Sequence, residues 1–327
     1  MTLPLILTMI VRDEAATIAE TLESCRPLIQ GWAIVDTGSV DGTQDVVREA
    51  LRGVPGKLIQ QPWPESFAVA RTWAWDLAQE LCEGEDHWRF EVSGDTVVHG
   101  DRTQFTRALD AAEPKEGLWV ESRMGNITWR RPKITRAFCG WKYRGRLHEI
   151  AELPGAKLET AHGLYLEHRG RPQGLPKQGG RSGYLSIMMA DLEEMPDDPR
   201  TVFYAAQTLE LEGRWGEARA LYEKRIRLHA EGRGWGQEAY IAALRVARRA
   251  RDDGWDDGSV RTLFARAVSI CPERPEALEE LGRLAMEHDS GWLFAEQDSP
   301  SRRMLAQAEA FSVGVRAGLA GVVDSKP

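Results

Sequence analysis

Short apolar runs alternate with amphipathic stretches through the first third of the chain. Runs at Leu5–Val11, Trp32–Asp36, Lys57–Gln60 and Trp88–Ser93 are separated by helical patterns at Ala15–Leu28, Gln44–Leu51 and Phe67–Leu81. This βαβα rhythm predicts an α/β fold with a doubly wound, mostly parallel sheet. From about Gly117 to His168 the pattern turns strand-rich, with Leu118–Glu121, Ile134–Phe138, Leu147–Ile150 and Leu164–Glu167 expected to complete the sheet as antiparallel strands. Residues 171–180 are rich in Gly, Pro and Gln and read as a linker. From Arg181 onward the periodicity is almost wholly helical. Leu244, Ala247, Phe264, Ala267 and Pro272 fall on the small, large and proline positions of a roughly 34-residue tetratricopeptide frame starting near Ile241. A following unit starts near Pro275 with Leu278, Leu281 and Gly282, and an earlier one covers Thr201–Ile226 with Ala206, Leu209, Ala218 and Tyr222. The first two units are out of phase, so an irregular helical bundle is the alternative to a TPR-like stack. The expected organisation is therefore an α/β domain over 1–170, a linker over 171–180 and an all-α helical-repeat module over 181–327.

Composition narrows the class. A chain of 327 residues, 42% hydrophobic and 28% charged, suffices for two ordinary globular domains. No apolar run reaches the roughly 18 residues of a bilayer span. The first apolar run lacks a basic leader and runs straight into Arg12-Asp13-Glu14, so it reads as a strand rather than a signal peptide. The four cysteines, Cys25, Cys82, Cys139 and Cys271, have no metal-ligand spacing and suit a reduced, cytoplasmic chain. The net charge of −8 argues against indiscriminate polyanion binding, yet eight Lys/Arg and one acid lie between Glu121 and Arg146, interleaved with Trp129, Trp141 and Tyr143. Such a strip can hold phosphates or stack bases; a solvated strand face looks the same.

The richest local chemistry is Val35-Asp36-Thr37-Gly38-Ser39-Val40-Asp41-Gly42-Thr43, a polar turn between a strand and a helix. Ligands of open α/β sheets bind beyond the carboxyl ends of the strands. A turn carrying two acids, hydroxyls and two glycines offers acceptors to base and ribose donors, and the helix start offers amides to phosphate. Taken alone it is equally a capped βα turn.

Further pieces follow in order. Val11-Arg12-Asp13-Glu14 ends the first strand, Phe67-Ala68-Val69-Ala70-Arg71 opens the third helix, and Ser93-Gly94-Asp95 ends the fourth strand. Arg136, Gly145-Arg146-Leu147-His148-Glu149 and His168 come after. This order resembles the family-2 glycosyltransferases of GT-A fold, in particular the sublancin S-glycosyltransferase-like branch, which carries a tetratricopeptide-like tail. The resemblance is strongest in residues 5–96 and runs through 133–149 into Val202–Leu209.

The resemblance implies an inverting hexosyl transfer from a nucleoside-diphosphate sugar, UDP-linked by expectation, to a nucleophilic acceptor. It implies a nucleotide-sugar pocket lined by Val11, Arg12, Glu14, Asp36, Thr37, Arg71, Gly94 and Asp95. It implies Mn²⁺ or Mg²⁺ held by Asp95 and His168. Ser93-Gly94-Asp95-Thr96 stands where the family has Asp-Ala-Asp-Glu; two acids are lost, which leaves the need for metal open. It implies Glu149 as the base, with His148 orienting it or touching a substrate; a structural pairing of Glu149 with Arg136 or Arg146 is the other reading. The acceptor stays open between a peptide or protein side chain docked by the helical tail, a hydroxylated base in DNA, and a glycan. Arg130, Arg131 and Trp141 are the candidate acceptor residues, and the tail is a candidate homo-oligomer contact. A catalytically silent binding scaffold is the non-enzyme alternative. A nucleotidyltransferase is disfavoured, because its Gly-rich, Lys-bearing phosphate loop is missing.

Overall fold

The computed structural model describes residues 3–110, 116–170 and 180–288, and the expected linker therefore lies almost entirely outside the described residues. The chain divides into two compact units, residues 1–178 and 179–327. The first contains, in order, β1 (Leu5–Val11), α1 (Ile18–Cys25), β2 (Gly31–Asp36), α2 (Thr43–Ala50), β3 (Gly56–Gln60), α3 (Phe67–Leu81), β4 (Trp88–Glu91), β5 (Thr96–Gly100), α4 (Arg102–Asp110), β6 (Gly117–Met124), β7 (Ile127–Arg136), β8 (Lys142–Arg144), β9 (Ile150–Glu152) and β10 (Leu158–His168).

Eight strands form one sheet in the order β3-β2-β1-β4-β7-β6-β10-β5. The pairings β3/β2, β2/β1, β1/β4 and β6/β10 are parallel, and the other three are antiparallel. The central strands read as continuous apolar runs because both faces are covered. Leu5, Leu7, Met9 and Val11 of β1 pack in one core with Ile18, Leu22, Val47 and Leu51 of the α1/α2 side. Ile6 points the other way, joining Ala33 and Val35 of β2 against Ala74, Leu77 and Ala78 of α3. The small residues Ala70, Ala74 and Ala78, spaced four apart on α3, let that helix lie close on the sheet. Ser66 caps it, its Oγ accepting the Val69 N–H at 3.2 Å.

Several strand expectations need correction. Leu147–Ile150 does not enter the sheet; only Ile150 is extended, in a separate two-stranded ribbon of β9 with β8. The cause is local, since Gly145 and His148 have φ of 88° and 52°, incompatible with a strand. Ala137–Phe138 belongs to a 3₁₀ turn ending at Gly140 in left-handed conformation. The last strand, β10, runs parallel to β6 rather than antiparallel, and β5 pairs with it as an edge strand. Neither β5 nor α4 is marked by the periodicity.

The second unit is a series of helices, α5 (Gly180–Glu194), α6 (Pro199–Leu211), α7 (Trp215–Ala230), α8 (Gly236–Asp252), α9 (Asp257–Ile270) and α10 (Pro275–His288). Each packs on the next, and α6 also meets α8, as in a helical-repeat stack. Tyr222, Tyr240 and Phe264 fill its core. Alternate helices are cross-linked by ion pairs: Arg200 and Glu238 at 2.9 Å, Arg245 and Glu210 at 2.8 Å, Arg251 and Glu280 at 2.7 Å. The hairpins begin at Pro199, Gly236 and Pro275, wider apart than the roughly 34-residue tetratricopeptide repeat, which accounts for the phase drift in the sequence. Among the described residues no helix is long and apolar enough to cross a membrane.

The antiparallel pairing of β5 with β10 tolerates no side chain at Gly100. Its φ is 147°, and a Cβ there would stand 1.9 Å from the Gly163 carbonyl oxygen. Gly100→Ala is expected to lower unfolding free energy by about 2 kcal/mol or more, measured by urea titration; an unchanged midpoint would contradict this packing.

Candidate functional site

The strand order turns back on itself between β1 and β4, since β2 and β3 lie to one side and β4 to the other. Such a switch point leaves a crevice at the carboxyl edge of the sheet. Three segments border it: residues 12–15 after β1, 36–43 after β2 and 92–95 after β4.

The first two are stitched together. The Val40 N–H donates to Asp13 Oδ1 at 2.8 Å, and the Asp13 N–H to Ser39 Oγ at 3.0 Å. The Glu14 N–H donates to Thr43 Oγ1 at 2.8 Å, and the Ala15 N–H to Asp41 Oδ2 at 2.9 Å. Thr37 donates both its N–H and its hydroxyl to the Val11 carbonyl, so Val11 itself is buried and contributes only backbone. Burial pushes the Asp41 carboxyl up, but the donors of Thr43 and Ala15 outweigh it and hold it below its usual range. Most of the turn's hydroxyls and one of its acids are thus committed to loop structure.

Asp36 is different. It is fully buried, its Oδ1 accepts the Gly38 and Ser39 N–H groups at 2.7 Å each, and its Oδ2 is buried with no hydrogen-bond partner. A buried acceptor left unmade costs about 1–3 kcal/mol. A buried acceptor without a partner in a native fold calls for an explanation, and it lies here at the carboxyl end of β2.

Across the switch point, Gly94 lies under Glu14, where a Cβ would stand 3.1 Å from Glu14 Cγ. The Gly94 carbonyl accepts the Thr21 hydroxyl at 3.0 Å, and Glu14 Oε2 accepts that of Thr17 at 3.1 Å. Arg12 lies half-buried beside them. The next residue, Asp95, is brought near His168 because His168 and Thr96 are register partners of β10 and β5. His168 Nδ1 lies 3.9 Å from Asp95 Oδ1 and 3.1 Å from Thr96 Oγ1. Trp129 stacks on the far side of the ring, with centroids 5.3 Å apart. The imidazole holds the Asp95 carboxyl below its usual range, against the opposing effect of burial.

Among the described residues no three His, Cys, Asp or Glu side chains gather as a metal cage. Asp95 and His168 provide one carboxyl and one imidazole. That pair fits a divalent ion that takes its other ligands from water and a diphosphate, and the imidazole favours Mn²⁺ over Mg²⁺.

A second polar cluster lies beside this edge. Arg71, one turn into α3, donates from Nη1 to Glu91 at 3.0 Å and from Nε to Glu149 at 2.6 Å, with only 12% of its side chain exposed. Lys133 pairs with the same Glu91, and the Tyr143 hydroxyl donates to Glu91 Oε2 at 2.7 Å. A β-bulge in β7 opposite Leu118/Trp119 puts Lys133 out of the ladder and beside Glu91. Although burial disfavours its charge, Glu91 is held down to about 2 by Arg71, Lys133 and Tyr143. Lys133 is shifted down by desolvation, and Tyr143 is pushed well up by burial and by Glu91.

Glu149 therefore pairs with Arg71 rather than with Arg136 or Arg146. Arg71, in turn, is engaged by two carboxyl groups and not exposed toward a diphosphate. The Phe67 N–H donates to the Arg146 carbonyl at 2.7 Å, so the loop bearing Glu149 is tied to the start of α3. His148 is exposed on that loop in a left-handed conformation, a strained state for a non-glycine residue. Glu91 was not singled out in the sequence, and Lys133 and Tyr143 stood there only as members of the basic, aromatic strip. The available signal was charge inside apolar strands, Phe90-Glu91-Val92 and Pro132-Lys133-Ile134.

The basic strip does not form a continuous cationic face. Arg123 pairs with Glu121, Lys133 with Glu91, Arg136 with Asp86 and Arg144 with Glu152. Trp141 is buried and donates its indole N–H to the Glu116 carbonyl at 2.8 Å, a core role. Arg130 is half-buried, and Arg131 is exposed.

The depressed Glu91 carboxyl makes a pH prediction. Its contribution to stability is fully present above the unfolded-state value near 4.5 and is lost as pH falls toward about 2. Glu91→Gln is expected to destabilise by about 2–4 kcal/mol at neutral pH, with the difference from wild type shrinking between about pH 4.5 and 2. Denaturant titrations at several pH values check this; a pH-independent difference would contradict it.

No family model matches the chain. Among curated proteins it is similar to a TPR repeat-containing protein of Synechococcus elongatus, 25% identical over 150 residues that make up 45% of this chain and 35% of that protein. The matched stretch is thus about a third of the length of that relative. Among solved structures it is similar to the crystal structure of MamA, at 14% identity and a TM-score of 0.29, over 43% of this chain and 71% of that one.

Proposed function

We propose that the chain is a glycosyltransferase that moves a sugar from a nucleoside-diphosphate sugar to a nucleophilic acceptor with inversion. The observation that supports this most is Asp36 Oδ2, a buried acceptor without a partner at the carboxyl edge of a parallel sheet. A pyrimidine N–H or a ribose hydroxyl would satisfy it. The stitched loops around it supply a rigid frame, which lowers the ordering cost of binding.

In this reading Asp95 and His168 would hold a divalent cation, whose positive charge would offset that of the departing diphosphate. Glu149 takes the proton of the acceptor nucleophile through Oε2, while Oε1 is anchored on Arg71. The new bond forms at the anomeric carbon as its bond to the diphosphate oxygen breaks, and the nucleoside diphosphate leaves with that electron pair. The retained-fold scaffold reading is less favoured, since it leaves the unmet Asp36 oxygen without a purpose.

For the acceptor, a peptide or protein side chain presented by the helical unit is the favoured class. A stack of repeat helices such as α5–α10 presents an extended surface of the kind that docks protein segments, which supports a protein partner. A DNA acceptor is less supported, because four of the eight cations of the basic strip are neutralised internally.

The test is UDP-glucose turnover with Mn²⁺, followed by mass spectrometry of mixed peptide, glycan and hydroxymethylated-DNA acceptors. Asp95→Ala is expected to lower turnover about 100-fold or more. Glu149→Gln should lower transfer about 100-fold with UDP affinity retained. Asp36→Asn should weaken UDP binding by about tenfold. Absence of nucleotide binding under every metal condition would remove the reading.

A further inference from the structure

The loop between β3 and α3 carries an aromatic residue that neither the donor edge nor the Arg71 cluster uses. Its sequence is Gln61-Pro62-Trp63-Pro64-Glu65-Ser66. At one end the Gln61 N–H donates to the Asp36 carbonyl at 2.9 Å, so the loop starts at the donor edge. At the other end Ser66 caps α3, and the Phe67 N–H donates to the carbonyl of Arg146 at 2.7 Å, on the loop that bears Glu149. The segment therefore bridges the two clusters that the proposed transfer brings together. Trp63 packs edge-on against Phe67, with centroids 4.7 Å apart, and both residues are half-buried.

Helix geometry fixes where this pair lies. Phe67 and Arg71 are four residues apart and share one face of α3. Trp63, Phe67 and Arg71 thus follow one another as a ladder, which Arg71 Nε ends on Glu149 at 2.6 Å. We propose that Trp63 and Phe67 form the acceptor platform, on which a polypeptide packs a large apolar side chain next to its nucleophile while the nucleophile meets Glu149. This role rests on the transfer proposed above, which by itself requires no preference for an apolar neighbour.

The loop is built to hold the ring still. Pro62 and Pro64 each fix their own φ, and the residue before a proline is confined to extended backbone, which restricts Gln61 and Trp63. Glu65 has a φ of 54°, a strained state for a residue with a side chain. An aromatic surface ordered in advance loses little freedom when a ligand packs on it. Charge then selects the occupant. Residues 61–75 contain one cation, Arg71, which Glu91 and Glu149 already engage. The one acid of that stretch, Glu65, is exposed. The stretch offers the phosphates of a nucleic acid no uncommitted cation, and it suits an uncharged apolar side chain.

The experiment is transfer from UDP-glucose with Mn²⁺ to two peptide series, Ac-Gly-X-Z-Gly-amide and Ac-Gly-Z-X-Gly-amide, read by mass spectrometry. Z is Ser, Thr or Cys, and X is Gly, Leu, Phe or Trp; glycan and hydroxymethylated-DNA acceptors run alongside. In one of the two series, Phe or Trp at X is expected to raise kcat/KM about tenfold over Gly, through KM. Trp63→Ala should abolish that preference with UDP affinity held, and Trp63→Phe should keep most of it. Far-UV circular dichroism confirms the fold of each variant. Should Trp63→Ala not fold, Phe67→Leu, which keeps apolar bulk and removes a ring, is expected to lower the preference about threefold. Peptide transfer without a preference, or a preference unchanged in these variants, would overturn the platform and leave the transfer function standing. Transfer confined to glycan or DNA acceptors would do the same. No transfer to any acceptor would remove the function and the platform together.

Discussion

The first unit depends on one buried cation. Arg71 projects from a helix lying on the sheet, where an unpaired guanidinium would be prohibitively costly. Its two partners come from distant parts of the chain, Glu91 at the end of β4 and Glu149 on the loop before β9. Pairing draws these segments together, and each partner brings demands of its own. Glu91 needs Lys133 and Tyr143 to share its charge, which accounts for a bulge in β7 and for the docking of the β8–β9 ribbon over α3. Trp75 packs against Tyr143 from the helix in a tilted ring contact, with centroids 4.2 Å apart.

The donor edge is built on a different principle. There the polar groups are numerous but mostly satisfied by one another, so that two loops behave as a single frame. Against that background the one unmet oxygen of Asp36 gains meaning, because its neighbours Ser39, Asp41 and Thr43 are all engaged. Asp95 and His168 stand across the switch point, joined by strand register and not by nearness in sequence. The two clusters divide the labour of the proposed reaction. In that proposal one edge would hold nucleotide and diphosphate, and the Arg71 cluster would present Glu149.

Much of this was legible from the residues. The bounds of α3 coincide with its periodic stretch, Phe67–Leu81, since a Ser cap and a regular small-residue face leave little ambiguity. The strands β1, β2 and β4 were legible as short apolar runs between turn signals. The edge strand β5 was not, because Val97-Val98-His99 follows a polar turn too closely to register as a separate run. Leu147–Ile150 misled in the opposite direction, its apolar content masking a loop bent by Gly145 and His148. At the site, Asp36, Asp95 and His168 stood out by their place at strand ends, whereas Glu149 was singled out only by the resemblance of His148-Glu149 to the family's motif. The commitment of Arg71 to two acids did not, because it depends on contacts between residues up to 78 positions apart, to which no local pattern points.

The proposed reaction requires the carboxyl edge between β1, β2 and β4 to take a nucleoside diphosphate. Hydrogen–deuterium exchange of the full chain with and without UDP and Mn²⁺ tests it most directly. Binding at this edge should add protection in residues 12–15, 36–43 and 93–96, with α4 and the helices of the second unit unchanged. Protection confined to other segments, or none at saturating nucleotide, would contradict it.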